Sequence, residues 1–151
     1  MKDWERGNLK AFVEMGGAVI VLIGLAFVGL ELRQNTAAVE AATFQSLTDA
    51  SSNFLLTIAS DSDLMRAWSI GSSNLDQLDE MDSGRHFLLR RSYWVRMQNV
   101  FSQWDRGTLS DEDWRLYNAV ICDFSDGNRA TFDKHREILS PQFIEFIQSC
   151  W

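Results

Sequence analysis

Sixteen consecutive residues without a charge, Met15 to Leu30 (MGGAVIVLIGLAFVGL), limit what this chain can fold into more than any other feature. Extending the apolar stretch from Phe12 to Leu32 leaves Glu14 and Glu31 close to its two ends. At about 1.5 Å rise per residue such a helix covers about 30 Å, the thickness of a bilayer's hydrocarbon core. Trp4, Lys10 and Arg33 are suited to the interface, where amphipathic and basic side chains reach the headgroups. A buried core helix and a cleavable signal peptide, with small residues around Ala37 to Ala42, are the competing readings. The stretch exceeds a usual signal core, so the expectation is a retained single-pass membrane anchor over residues 1–33, followed by a soluble helical domain over 34–151. Lys2, Arg6 and Lys10 precede the span and only Arg33 follows it closely. That asymmetry slightly favours a cytoplasmic N-terminus and a domain outside. Gly17 and Gly24 are seven residues apart and do not form the four-residue spacing of close helix association.

Beyond the span, no glycine or proline occurs between Leu30 and Ile70, and Pro141 is the one proline of the chain. Ala37, Ala41, Phe44, Leu47, Phe54 and Ile58, with Leu55 beside them, recur at helical spacing. The membrane helix is therefore expected to continue as one long helix to about Ser60. Asp61 or Ser62 caps a second helix carrying Leu64, Met65 and Trp68 and stopping before Gly71. Ser83 is expected to open a third, with Phe87, Trp94, Met97, Phe101 and Trp104 on one face and Gly107 closing it. Ser110 with Asp113 resembles a capping box ahead of Trp114, Tyr117, Ile121 and Phe124. A fifth helix runs from about Asn128 to Ile138. Ser140 and Pro141 start a sixth, with Phe143, Ile144 and Ile147 inward. The predicted fold is all-α: an N-terminal transmembrane helix continuing into a long helix, packed with a bundle of about five helices.

Charge narrows the partners. The chain carries a net −7, and the part after Arg33 holds ten Lys/Arg against seventeen Asp/Glu. Phosphate backbones call for a clustered basic face, so no nucleic acid is expected. Arg85, Arg90, Arg91 and Arg96 fall on more than one helix face and read as solvated, salt-bridged residues. Cys122 and Cys150 lack metal-ligand spacing. They either pair in an oxidising compartment or sit as small apolar residues in a reducing one.

Arg33-Gln34-Asn35-Thr36, followed by Ala41-Ala42-Thr43-Phe44-Gln45, resembles a family of uncharacterised bacterial single-pass membrane proteins with an R-Q-N-T motif after an N-terminal span. The resemblance extends through Asp61 to Trp68, Asn99, Gln103, Gly107, Leu109, Trp114 and Ser140-Pro141-Gln142-Phe143. It departs at Gln98, where an acidic residue often precedes the asparagine, and at Ala130-Thr131-Phe132, which replaces a tryptophan-rich segment. The resemblance implies an architecture and no activity.

Chemistry-bearing patterns are sparse. Di-metal carboxylate bundles use Glu-x-x-His pairs, but Ser83 and Phe132 stand three residues before His86 and His135. Asp76, Asp79, Glu80 and Asp82 lack the glycine and closing glutamate of a calcium loop and read as an acidic, solvated loop. His86 and His135 are expected at the surface or at a helix C-terminus. Gln98 and Gln103 are expected to form a polar seam with Gln45 or Asn53 on the long helix. No metal, cofactor or catalytic residue is predicted. The candidate interaction residues are Arg33, Gln34, Asn35 and Thr36, a polar collar where the helix leaves lipid. The expected function is a non-catalytic, membrane-anchored interaction module or accessory subunit, partnered by the lipid bilayer and by another membrane protein or itself. Two alternatives are a helical sensor of a lipid or small apolar ligand and a hydrolase with dispersed catalytic residues.

Overall fold

A computed structural model of the protein describes the backbone of residues 2–151 and the side chains of residues 15–17 and 19–151. The side chains of Lys2, Trp4, Arg6, Lys10, Phe12 and Glu14, singled out above, lie outside the described residues. Every regular element among the described residues is helical: α1 (Lys2–Ser60), α2 (Ser62–Ser73), a 3₁₀ turn (Leu75–Gln77), α3 (Glu80–Asp105), α4 (Asp111–Asp126), α5 (Arg129–His135), a second 3₁₀ turn (Arg136–Ile138) and α6 (Pro141–Ser149). The fold is all-α with a long N-terminal helix. Two compact units divide the chain, Met1–Val39 and Glu40–Trp151, with the division falling inside α1.

In the first unit α1 exposes apolar side chains around its whole circumference. Val19 to Ile23 are five consecutive residues, each turned about 100° from the last, and their exposures run from 49% to 72%. An 18-residue window of this helix reaches a mean hydropathy of 2.2 with none of it buried, which makes it long and apolar enough to cross a membrane.

In the second unit local chemistry sets the helix ends. Asp61 caps α2, its carboxylate accepting from the backbone N–H groups of Asp63 and Leu64 at 2.8 and 3.1 Å. Ser110 caps α4 by accepting from the Asp113 N–H at 3.1 Å, and its hydroxyl donates to the Asp113 carboxylate at 2.7 Å. Ser140 caps α6 with Pro141 in the first turn, where a missing N–H costs nothing. At the C-terminus of α3, Gly107 takes φ +71°, a left-handed conformation that L side chains enter only with strain. This lets the N–H groups of Gly107 and Thr108 close onto the carbonyls of Trp104 and Gln103 at 2.8 and 2.9 Å, the paired bonds of a Schellman end.

Two expected boundaries move. Asp79, rather than Ser83, caps α3 by accepting from the Asp82 N–H at 2.8 Å, so the helix begins four residues before a Ser83 cap would start it. α2 continues through Gly71 to Ser73. Gly71 is not a stop; its missing side chain makes room for a neighbour described below.

The core lies between α3 and the helices around it. Trp94 is fully buried, its ring edge-on to Tyr93, Phe124 and Phe132 at centroid distances of 5.8, 5.5 and 5.1 Å. Farther along α3, Phe101 contacts Trp114, Phe143 and Phe146, and Trp104 stacks on Trp114 at 4.6 Å. From α1, Leu47 and Ile58 are buried, Phe44 and Phe54 are half-buried, and Ala37, Ala41 and Leu55 stay exposed. The apolar stripe of α1 is thus covered only from about Phe44 onward. Among the described residues Gln98 makes no hydrogen bond to α1 either. Its side-chain oxygen accepts the N–H of Ser140 at 2.5 Å, while Gln103 bonds Asn99 and Thr108 and Gln45 bonds Asp49 within its own helix. The expected polar seam is replaced by a clasp between α3 and the start of α6.

Cys122 of α4 and Cys150, just after α6, form a disulfide across 28 residues. Cross-linking a loop of that length restricts the unfolded chain and stabilises the fold by roughly 3–4 kcal/mol. Thiol counting on the denatured, unreduced protein is expected to find no free thiol. Cys122→Ala/Cys150→Ala is expected to lower the urea-unfolding free energy by about that amount while leaving helix content intact.

Candidate functional site

The collar residues Arg33, Gln34, Asn35 and Thr36 all lie exposed on α1. Four consecutive residues cover most of a turn, so they ring the helix instead of sharing a face. The Thr36 hydroxyl donates to the Leu32 carbonyl at 3.0 Å, which satisfies its proton within the helix. Arg33, Gln34 and Asn35 present their polar groups outward. Asn35 shares a face with Val28, Glu31 and Leu32 through the i, i+3, i+4, i+7 spacing.

A second constellation lies within the Glu40–Trp151 unit: both histidines are buried instead of at the surface, with His135 at the C-terminus of α5, the other expected placement. His86 and His135 are each only 3% exposed. Both line one pocket of about 180 Å³, together with Ser83, Phe87 and Arg90 from α3 and Thr131 and Lys134 from α5. Helix periodicity brings this about: Asp82, His86, Arg90, Tyr93, Met97 and Phe101 follow one another at three- and four-residue steps, so the charged residues continue the buried aromatic face of α3 toward its N-terminus. The same pattern was open to view in the sequence, but an apolar-stripe reading passes over charged residues.

Arg90 is the central group. It is 2% exposed, and its expected place on a solvated basic face is overturned. Its Nε–H donates to His86 Nε2 at 3.0 Å and its Nη2 to the Ser72 hydroxyl at 2.6 Å. The rings of Trp68 and Phe124 lie 4.4 and 5.0 Å from the guanidinium carbon, where a cation is attracted by the ring quadrupole. Nη1 has no hydrogen-bond partner among the described residues. Desolvation pulls the Arg90 pKa down, yet a guanidinium remains charged at any ordinary pH.

Acceptance of the Arg90 proton at Nε2 fixes the neutral tautomer of His86 with its hydrogen on Nδ1. Burial, then the charges of Arg90, His135 and Lys134, depress the His86 pKa to about 4. Burial also lowers the pKa of His135, with Arg91, Lys134 and Arg90 adding to the effect. The His135 ring packs against Phe87 at 4.6 Å. No carboxylate lines this pocket among the described residues, so it offers hydrogen-bond donors and neutral imidazoles without the acid that would orient a histidine base.

The acidic stretch just upstream is used differently. Asp82, expected in a solvated loop, is 4% exposed. It accepts from Arg66 Nε at 2.8 Å and from Arg85 Nη1 at 2.8 Å, while Asp63 adds contacts to both arginines. Hydrogen bonds from Arg66 and Arg85 hold its carboxyl below the usual range. This network ties α2 to the first turn of α3. Gly71 completes the junction: a Cβ there would stand 2.3 to 2.8 Å from three atoms of the His86 ring. Among the described residues, no group of three or more His, Cys, Asp or Glu side chains is placed to hold a metal ion.

No protein-family model matches this chain, and comparison with curated proteins and with solved structures likewise gives no match. The chemistry of the site rests on its geometry.

Gly71→Ala is expected to push the His86 ring from its place and lower stability by about 1–3 kcal/mol, read from urea unfolding. For His86, a folded pKa below the unfolded value means that the unfolded chain binds more protons between about pH 6.5 and pH 4, and the lowered His135 pKa acts in the same direction. Stability is therefore fully present above pH 6.5 and declines as pH falls through that window. The Asp82 contribution is lost at lower pH, as pH falls through its depressed pKa. NMR titration of the imidazole carbons is expected to show His86 neutral until about pH 4; titration near pH 6.5 would contradict the buried placement.

Proposed function

We propose that the chain is a single-pass membrane protein whose helical domain acts as a non-catalytic interaction module, bound to another membrane protein or to a second copy of itself. The observation that carries the membrane part is the continuous apolar circumference of α1 over Val19–Ile23 and the residues after it, with Phe27, Leu30 and Leu32 at 60–66% exposure. Water accommodates scattered apolar side chains, but a helix that is apolar all round belongs in lipid or a protein core. That window is unburied, so the hydrocarbon of a bilayer supplies the cover.

The interaction part is supported by the ring of Arg33, Gln34 and Asn35 at the polar end of this segment, with side chains directed outward. At such a depth uncharged amides meet either headgroups or a neighbouring subunit. The resemblance to R-Q-N-T membrane proteins agrees with the same architecture. The basic residues before the span support a cytoplasmic N-terminus with the domain outside. The Cys122–Cys150 disulfide supports that orientation independently, because disulfides persist in oxidising compartments.

Carbonate washing of membranes from expressing cells is expected to leave the full-length chain in the pellet. Ile23→Lys adds about 2.5–3.5 kcal/mol to insertion at the helix centre and is expected to reduce the membrane-bound fraction sharply. A photo-crosslinking residue at Gln34 or Asn35 is expected to give a discrete adduct in intact membranes. Release of the wild-type chain by carbonate would sink the anchor, and a lone monomer with no adduct at either position would sink the interaction.

A further inference from the structure

The pocket between α3 and α5 gathers a buried guanidinium, two imidazoles and a lysine, with no carboxylate among its described lining residues. We propose that it binds a small oxyanion of the phosphate type, held by Arg90, His86, His135 and Lys134. This inference concerns the Glu40–Trp151 unit and stands apart from the membrane reading, so either fails without the other.

Arg90 is the strongest reason. Burying a charge without a counter-ion is costly unless other groups compensate, and Arg90 has no ion pair among the described residues. Two of its nitrogens are engaged by neutral acceptors and its faces by aromatic rings, but Nη1 is both buried and unpartnered. An anion in the adjoining 180 Å³ pocket, which Arg90 lines, would supply the missing negative charge. Charge-assisted bonds of this kind are about twice as strong as neutral ones.

The neighbours match that requirement. The His86 tautomer fixed by Arg90 turns a donor, Nδ1–H, away from the bond already made. The His135 side chain has no hydrogen-bond partner among the described residues. Lys134 is exposed at the rim and brings a second positive charge. A metal cation would use the same imidazoles, but two fixed positive charges repel it and His86 Nε2 is already occupied. The pocket's size favours a single phosphate-type group over a nucleotide. Such a group reaches the site either as free phosphate or as the headgroup of a phosphomonoester lipid.

The test uses the full-length chain in neutral detergent micelles, with inorganic phosphate titrated against chloride at equal ionic strength. Thermal unfolding and the two imidazole NMR signals are followed. Phosphate is expected to raise the melting temperature saturably and to shift both histidine signals. Lys134→Ala and His135→Gln are each expected to weaken the apparent affinity about tenfold, the effect of losing one charge-assisted contact. Arg90→Met is expected to abolish the phosphate effect; if that variant does not fold, the two milder variants decide. A parallel series in phosphatidylcholine nanodiscs, with and without phosphatidic acid, separates the sources: a response to free phosphate assigns the soluble ion, and a response to the lipid alone assigns the headgroup. No saturable response in either series overturns the proposal, as does a phosphate response that Lys134→Ala and His135→Gln leave unchanged.

Discussion

The Glu40–Trp151 unit is organised by the burial of one large ring. Trp94 sits at zero exposure in the middle of α3, and the groups that enclose it come from its own helix, from α4 and from α5. Side chains of this size contribute most of the apolar area in a small domain, and their mutual edge-to-face arrangement adds about 0.5–1.5 kcal/mol per pair. Because Tyr93 and Phe101 extend that contact along α3 in both directions, the remaining helices are positioned by which ring each one covers. α2 and the last turns of α1 cover Tyr93 through Trp68 and Phe54. α6 covers Phe101 through Phe143 and Phe146.

At the other end of the same face the residues change from aromatic to ionisable, and the energetics change with them. Asp82 is satisfied by two arginines. Arg96, beside that face in the middle of α3, has rings and a neutral acceptor, lying over Phe54 and Tyr93 and donating to the Ser51 carbonyl at 3.3 Å. Arg90 has rings and neutral acceptors but no carboxylate. The difference is instructive, since Asp82 and Arg90 occupy equivalent positions on one helix only two turns apart. A charged residue on a buried face is compatible with folding when the next helix brings a partner, and α2 brings an arginine for Asp82 but only the Ser72 hydroxyl and the Trp68 ring for Arg90.

What could be foreseen from the residues follows the range of the forces involved. Asp61, Ser110 and Ser140-Pro141 were legible as helix starts because capping is decided within three residues. Gly107 was legible as an end for the same reason. Gly71 was misread because its role depends on His86, fifteen residues away. Asp79 caps α3 in place of Ser83, although both are of the right type, because the backbone leaves its extended conformation directly after Asp79. Gln98 was correctly marked as an amide needing a partner, but the choice between α1 and α6 is set by packing. Arg90 and His86 are read as exposed because hydrophobic periodicity discards polar residues even when they keep the helical register. The Cys122–Cys150 pairing was one of two open options until the folded chain set their Cα atoms 5.2 Å apart.

That disulfide has a dynamic consequence. Trp151, next to Cys150, donates its indole N–H to the Ser125 hydroxyl at 3.3 Å, lies edge-on to Phe132 at 5.6 Å and takes Arg129 over its ring at 4.8 Å. Short helices such as α5 and α6 ordinarily open on their own, exchanging amide hydrogens well before the rest of a domain. Here the covalent circuit from Cys122 to Cys150 encloses both, and Trp151 fastens that circuit to the middle of α5 and the end of α4. The bridge and the Trp151 contacts are lost only when α6 parts from α4 and α5, so they add to the free energy of opening this end of the domain.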